Sequence, residues 1–319
     1  MSAGSKPVAV VGSINIDLVT NTKRIPVRGE TVFGSGFQIH SGGKGANQAA
    51  AVARLGYPVC MIGRIGDDAF GQQLRTHLEQ AGVNVAGVIT TTGTSGVATI
   101  IVADSGENCI VITPGANALL TPEDIDANVE IIRSSGIVLT QLEIPLETVE
   151  HLAGICAREG IPLILDPAPA KGLPASLFKV VSWFTPNETE AAFFTGENGT
   201  DFGLLEPASV AKALIDRGIG GVVLKLGSRG AFLASNARVE EQLPAFAVRA
   251  VDTTAAGDAF NGAFAVGMLL GKDPVASARF ATAAAALSVT RAGAQPSMPT
   301  RAEVDRLLET RHEAGEPLR

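Results

Sequence analysis

Short apolar runs alternate with longer amphipathic ones along most of the chain. PVAVVG, at 7–12, is a β-branched run ended by glycine, the pattern of a buried strand. GANQAAAVARLG, at 45–56, is alanine-rich and stops at Gly56, which predicts a helix with a glycine C-cap. VCMIGRIG (59–66) predicts a strand and DDAFGQQLRTHLEQAG (67–82) a helix. The alternation then repeats. A helix over 121–136 opens on Thr-Pro-Glu, and a strand follows over 137–143. PLETVEHLAGICAREG predicts a helix, IPLILDP a strand, and 180–196 a strand, a turn and a helix. PASVAKALIDRG predicts a further helix and 221–227 a strand. Strands alternating with amphipathic helices predict a parallel sheet with helices on both faces.

Two segments break this rhythm. Residues 15–40 and 94–113 are β-rich and helix-poor, and the second has the form of a hairpin around DSGEN. Together they predict a separate small sheet, suited to a lid or a dimer surface. The stretch 256–291 predicts two helices of small residues. No internal repeat is visible.

Composition narrows the class. The chain has 319 residues, 46% hydrophobic and 18% charged, which predicts one large α/β domain over 1–319 with a small accessory element. A net charge of −7 without any basic run argues against a nucleic-acid partner. A phosphate site must then be local, built from backbone N–H groups and a few cations. Cys60, Cys109 and Cys156, and His40, His77, His151 and His312, are dispersed and give no zinc spacing; the cysteines fit a reducing compartment. The N-terminal apolar stretch is too short for a signal sequence, and no apolar run approaches the ~18 residues of a membrane span. The expectation is a cytoplasmic protein with no membrane partner.

In open parallel sheets, ligands bind at the carboxyl ends of strands. Polar residues concentrate there: Asn15 and Asp17 after the first strand, then Gly42, Gly43, Lys44 and Asn47 before the first helix. Glu143, then Asn187, Glu188 and Glu190, then GSRG at 227–230, and finally Asp252 and Asp258 complete the set. Each has a plain structural alternative. SGGKGAN is also an ordinary glycine-rich turn, and it lacks the first glycine and the Ser/Thr of a Walker A loop. The turn after the first strand lacks the dinucleotide fingerprint, which disfavours a nicotinamide enzyme. Asn15 and Asp17 also suit turns, Glu143 an exposed position and Lys44 a solvated one. TPNETE is equally a helix start, with Asn187 as N-cap and Glu190 closing a capping box.

TTAAGDAFNG (253–262) asks for more than a cap. Ala255, Ala256 and Gly257 carry almost no side chain, so their N–H groups can approach a ligand at a helix N-terminus. Beside such an anion site, Asp258 makes sense as a base that deprotonates a hydroxyl while the N–H groups hold a transferring phosphoryl group.

These motifs together resemble the ribokinase family of carbohydrate kinases, from GSINID to GAQPSMP. GGKGANQA is similar to the family's first signature and DTTAAGDAFNGAF to its second; QLEIPLE, DPAPA, TPNETEA, LGSRG and TRAGAQPS also match. The resemblance implies a three-layer α/β/α fold with a mainly parallel central sheet and a small β-sheet lid. It implies ATP-dependent phosphorylation of D-ribose at the 5-hydroxyl, giving D-ribose 5-phosphate and ADP. Asp258 would be the general base, with the N–H groups of 255–258, from Ala255, Ala256 and Gly257 to Asp258 itself, forming the anion hole. Asn15, Asp17, Gly43, Lys44, Asn47, Glu143 and Asp258 would hold the sugar. Asn187, Lys225, Leu226, Gly227, Ser228, Arg229, Gly230, Gly257 and Thr282 would serve the nucleotide, and Glu190 magnesium and phosphate. Asp252, Thr254, Ser288, Arg291, Gly293 and Ser297 match a monovalent-cation site, normally potassium. A homodimer through the lid is implied as well. Lys225 stands where the family often has a smaller residue, Thr282 where some members place histidine, and Thr254 replaces an aliphatic residue. A sister kinase for 2-deoxyribose, another pentose, fructose or a nucleoside stays open. A non-catalytic sugar sensor would be expected to have lost Gly257 or Asp258.

Overall fold

The computed structural model describes residues 6–197, 205–237 and 239–313. The strands run in chain order Val8–Val11 (β1), Asn15–Thr22 (β2), Gly36–Gly42 (β3), Val59–Gly66 (β4), Asn84–Thr91 (β5), Gly96–Ala103 (β6), Asn108–Thr113 (β7), Ile137–Thr140 (β8), Leu163–Leu165 (β9), Trp183–Phe184 (β10), Gly221–Lys225 (β11), Ala231–Ser235 (β12) and Glu240–Leu243 (β13). They form two sheets. The larger has the order β13-β12-β11-β10-β9-β8-β1-β4-β5, and the smaller β3-β2-β6-β7.

The larger sheet is parallel from β5 to β11, with β12 and β13 added antiparallel at one edge. β1 shows why three layers form. All four of its residues are buried, and successive side chains enter opposite cores. Val8 and Val10 join a cluster with Met61, Phe260, Phe264 and Phe280, under the helices Lys44–Arg54, Ala256–Leu269 and Pro274–Ser288. Ala9 and Val11 join a second cluster with Leu152, Phe184, Phe194 and Leu214, under Leu146–Glu159, Glu188–Thr195 and Pro207–Ile215.

The expected alternation is borne out with local differences. β5, β12 and β13 are strands that the periodicity did not announce. The helix expected over 121–136 is two short ones, Pro122–Ala127 and Val129–Ser134, parted at Asn128. The small-residue helices exist because they lie close. A Cβ added at Gly262 would sit 2.7 Å from the Ala51 Cβ, so Ala256–Leu269 could not approach Lys44–Arg54 with anything larger there.

The two β-rich segments pair as expected. β2 is antiparallel to β3 and parallel to β6, and β6 and β7 form the hairpin across DSGEN. Directly opposed residues share a face. One face carries Asp17, opposite His40 and Ala98. The other carries Leu18, Ile39, Phe37 and Val111, of which the last three are exposed.

Candidate active site

The helix Ala256–Leu269 begins at a strained turn. Ala255 is its N-cap at φ 58 and ψ 15, and it is the only non-glycine residue with positive φ among the described residues. A β-carbon in that region costs roughly 1–2 kcal/mol. Such strain persists where the surroundings over-determine it, typically where backbone N–H groups must be aimed. One turn further on lies Asp258, only 5% exposed. Its Oδ2 accepts from Asn47 Nδ2 at 3.0 Å and its Oδ1 from Gln48 Nε2 at 3.1 Å.

Both amides come from the start of Lys44–Arg54, and glycine sets that helix in place. Gly43 has φ 87, and a Cβ there would lie 2.7 Å from the Asn15 backbone N. The GGKGANQ stretch therefore seats directly on the turn between β1 and β2. In the same corner the Ser13 hydroxyl donates to Glu143 Oε2 at 2.5 Å, and the Lys44 N–H reaches the same oxygen at 3.3 Å. Asn15 Oδ1 accepts from Asn117 Nδ2 at 2.7 Å.

Burial tunes these carboxyls. Burial first, then the charges of Glu143 and Asp258, push Asp17 up to about 7. Burial lifts Asp258 to about 6; Lys44 opposes the rise, Asp166 adds to it, and the Asn47 and Gln48 amides pull it down. Lys44 is pulled down by burial, yet Asp258, Asp166, Glu143 and Glu190 outweigh that and hold its ammonium above the ordinary value. Asp258, Asp166, Glu143 and Glu190 thus face the Lys44 ammonium, and Asp17 and Asn47 join this polar corner through Asp258.

From this corner a cleft of about 780 Å³ runs along the strand ends. Lys44 and Asp258 line one end; Asn187, Glu190, Lys225, Gly227, Ser228, Gly230, Ala255, Ala256, Gly257 and Thr282 line the rest. The capping box expected in TPNETE is present: Asn187 Oδ1 accepts from the Glu190 N–H at 2.9 Å, and Glu190 Oε2 from the Asn187 N–H at 2.8 Å. Burial raises the Glu190 carboxyl above its usual range, against the pull of Lys225. Lys225 Nζ pairs with Asp166 Oδ1 at 2.9 Å, with both side chains nearly buried. Thr282 spends its hydroxyl on the Ala278 carbonyl. Leu226 turns its side chain into the core, and Arg229 pairs with Glu188 at 2.5 Å.

The residues matched to a monovalent cation join two segments. Asp252 accepts from the Thr254 N–H at 2.9 Å and the Gly293 N–H at 2.8 Å, and the Val251 and Asp252 N–H groups both donate to the Val289 carbonyl. Ser288 and Ser297 bond carbonyls three residues back, and Arg291 pairs with Glu303. No cluster of three or more His, Cys, Asp or Glu suited to a metal occurs among the described residues.

Sequence reasoning missed five polar residues here: Ser13, Gln48, Asn117, Gln141 and Asp166. Asp166 carried the same signal as the others, an acid just past a strand, and Gln48 lies inside the GGKGANQ stretch already singled out. Gln141 and Asn117 are distant in sequence and nothing in their spacing marks them.

A buried carboxylate at a helix N-terminus, where the Ala256 N–H turns back to the Thr253 carbonyl at 3.3 Å, lies between a polar corner and an open cleft and is suited to moving a phosphoryl group onto a hydroxyl. Residues 5–301 match the family model described as pfkB family carbohydrate kinase, and the chain belongs to that family. The chain is 44% identical over 303 residues to the ribokinase of Bacillus subtilis (strain 168), covering 94% of this chain and 99% of that protein. It is 40% identical over 295 residues to the deoxyribokinase of Salmonella typhi, covering 92% and 95%. The structure of Arabidopsis thaliana ribokinase complexed with ribose and ATP matches with a TM-score of 0.87 at 37% identity, over 96% of this chain and 99% of that one. The family resemblance and the three-layer fold expected from the sequence are borne out.

Proposed function

We propose that this protein is an ATP-dependent kinase that phosphorylates D-ribose at its 5-hydroxyl, giving D-ribose 5-phosphate and ADP. The observation that carries the reading is Asp258, buried in the first turn of a helix whose preceding turn is held left-handed at Ala255. Near-full-length similarity to ribokinases supports the substrate. Asp258 takes the hydroxyl proton as the sugar oxygen attacks the terminal phosphorus, the bond to ADP breaks, and the N–H groups of 255–258 hold the developing charge. Lys44 stays charged beside this path. Asn15, Asp17, Asn47 and Glu143 pair with the sugar hydroxyls, so a sugar lacking one would leave a buried partner unpaired. The nucleotide lies in the cleft past Asn187, Lys225, Gly227 and Ser228.

Glu190 suits magnesium and phosphate because its carboxylate lines the cleft, and each oxygen keeps acceptor capacity beyond its one bond to Asn187. Magnesium bound with ATP supplies charge neutralisation on the phosphates. Asp252, Thr254, Ser288, Arg291, Gly293 and Ser297 would hold a potassium ion, whose charge would steady the loop that carries the proposed anion hole. The family resemblance implies holding mostly through main-chain carbonyls, and the local engagement of the serine hydroxyls and Arg291 supports that reading. Free cysteines, among the described residues no helix able to cross a membrane, and an ATP substrate support a cytoplasmic setting. The exposed apolar face of the lid supports a homodimer.

The test is ADP release by the purified protein with MgATP and D-ribose, in potassium and in sodium, beside 2-deoxyribose and fructose. Ribose-dependent turnover that rises with potassium is expected. Turnover confined to 2-deoxyribose would overturn the substrate and leave the mechanism. No turnover with any sugar, from folded protein, would favour a sugar sensor.

A further inference from the structure

Gln48 is fully buried, and its one amide nitrogen serves two carboxylates. Nε2 donates to Asp258 Oδ1 at 3.1 Å and to Asp166 Oδ2 at 3.0 Å, which uses both of its hydrogens. The amide is itself held: Oε1 accepts from Gln141 Nε2 at 2.7 Å, so a flip would turn Oε1 onto two carboxylates. Gln141 is also fully buried, and Gly12 makes its room, since a Cβ there would lie 2.0 Å from Gln141 Oε1. At the far end Asp166 is paired with Lys225, whose Nζ would lie 3.3 Å from a Cβ on Gly257. The chain Gln141–Gln48–Asp166–Lys225 thus passes behind the base and ends beside the proposed anion hole. The polar atoms of Gln48, Asp166 and Lys225 along this chain are paired, whereas Gln141 Oε1 is buried without a hydrogen-bond partner, a cost that apolar side chains filling the same space would avoid.

We infer that Gln48 is a positioning residue for phosphoryl transfer, fixing the plane of the Asp258 carboxylate and tying it to the Asp166–Lys225 pair. The inference rests on Asp258 being the base. Asn47 alone would leave that carboxylate free to rotate about one bond, whereas Asn47 and Gln48 together hold both oxygens. The charged groups that bear on Asp258 are Lys44 at the head of Lys44–Arg54, Asp166 beyond β9 and Asp17 on β2, with Glu143 beyond β8 and Glu190 facing Lys44 and Lys225 on β11 paired with Asp166. Hydrogen bonds to the carboxylate favour its charged form, so losing the Gln48 amide would make the base harder to ionise.

The experiment compares wild type, Gln48→Met, Gln141→Met and Asp258→Asn with MgATP and D-ribose from pH 5 to 9, with near-UV circular dichroism to check folding. Gln48→Met is expected to lower kcat about tenfold or more and to move the acid limb of the kcat profile to higher pH, with KM for ribose within about twofold. Gln141→Met should change both in the same direction by less, and it carries the test if Gln48→Met does not fold. Wild-type kcat and an unmoved acid limb in both methionine variants would overturn the inference. So would parallel changes in kcat and KM with the limb unmoved, which mark a merely structural role. Turnover retained by Asp258→Asn would instead remove the base itself. An inactive Asp258→Asn beside wild-type-like methionine variants would sink only the role of Gln48.

Discussion

Asp258 is held by two amides, faces a lysine and sits near the N–H groups of its own helix, so its removal should separate chemistry from binding. Asp258→Asn is expected to cut kcat by ~10²-fold or more and leave ribose affinity, measured by calorimetry, nearly unchanged. A variant that turns over at close to the wild-type rate would end the assignment. The same buried carboxyls set the pH behaviour. With Asp258 at about 6 and Asp17 at about 7, kcat/KM should fall on the acid side of neutrality, with a limb that belongs to the coupled pair. Their effect on stability has the opposite sense from that of ordinary ion pairs. Both carboxyls hold protons more tightly in the folded chain, so their contribution is present below about 4 and is lost as pH rises through about 6 and 7. Glu303, lowered to about 2 by the Thr300 N–H and Arg291, contributes above about 4.5 and loses that as pH falls. The ligand-free protein should therefore show its highest Tm at roughly pH 4–5, where the Glu303 contribution is nearly complete and that of the two buried carboxyls is only beginning to be lost. A Tm that keeps climbing from pH 6 to 8 in scanning calorimetry would contradict the buried carboxyls.

At the scale of elements, the turn into Ala256–Leu269 trades stability for direction. Ala255 sits at φ 58, where glycine is at no disadvantage. Ala255→Gly is expected to raise Tm by about 2 °C through relief of that strain. It should also lower kcat, because the relaxed turn no longer aims its N–H groups. Unchanged Tm and kcat together would mean that the left-handed turn stores nothing and aims nothing. The TPNETE start illustrates how one element serves twice. Asn187 and Glu190 cap their helix, as the spacing alone predicts, and the same two side chains line the cleft. The structural and the functional readings of that motif were never exclusive.

At the scale of the molecule, the lid divides its duties between two faces. Asp17 points from one, while Leu18, Ile39, Phe37 and Val111 share the other. β7 is an edge strand with every residue exposed, an arrangement that soluble monomers usually protect. If that face joins two copies, Val111→Glu should shift the protein from dimer to monomer in light scattering at micromolar concentration and leave the fold intact. A wild-type protein that is monomeric at the same concentration would remove the lid dimer outright.

The sequence by itself determined the layered α/β fold, the separate β-rich lid and the position of an acid at the head of a small-residue helix. These follow from period, glycine position and local chemistry, which act over a few residues. Asn15, Gly43, Lys44 and Asn47 were legible for the same reason, as polar or glycine positions at strand ends. What only the tertiary structure decided are relations between distant segments. Gln48 meets Asp166 and Gln141 across 118 and 93 residues, and Lys225 finds Asp166 across 59. Sequence spacing carries no trace of such partners, because they become neighbours only when parallel strands bring their carboxyl ends to one edge of the sheet. The left-handed Ala255 is of the same kind: nothing in an alanine announces positive φ, and only the packing around that turn imposes it.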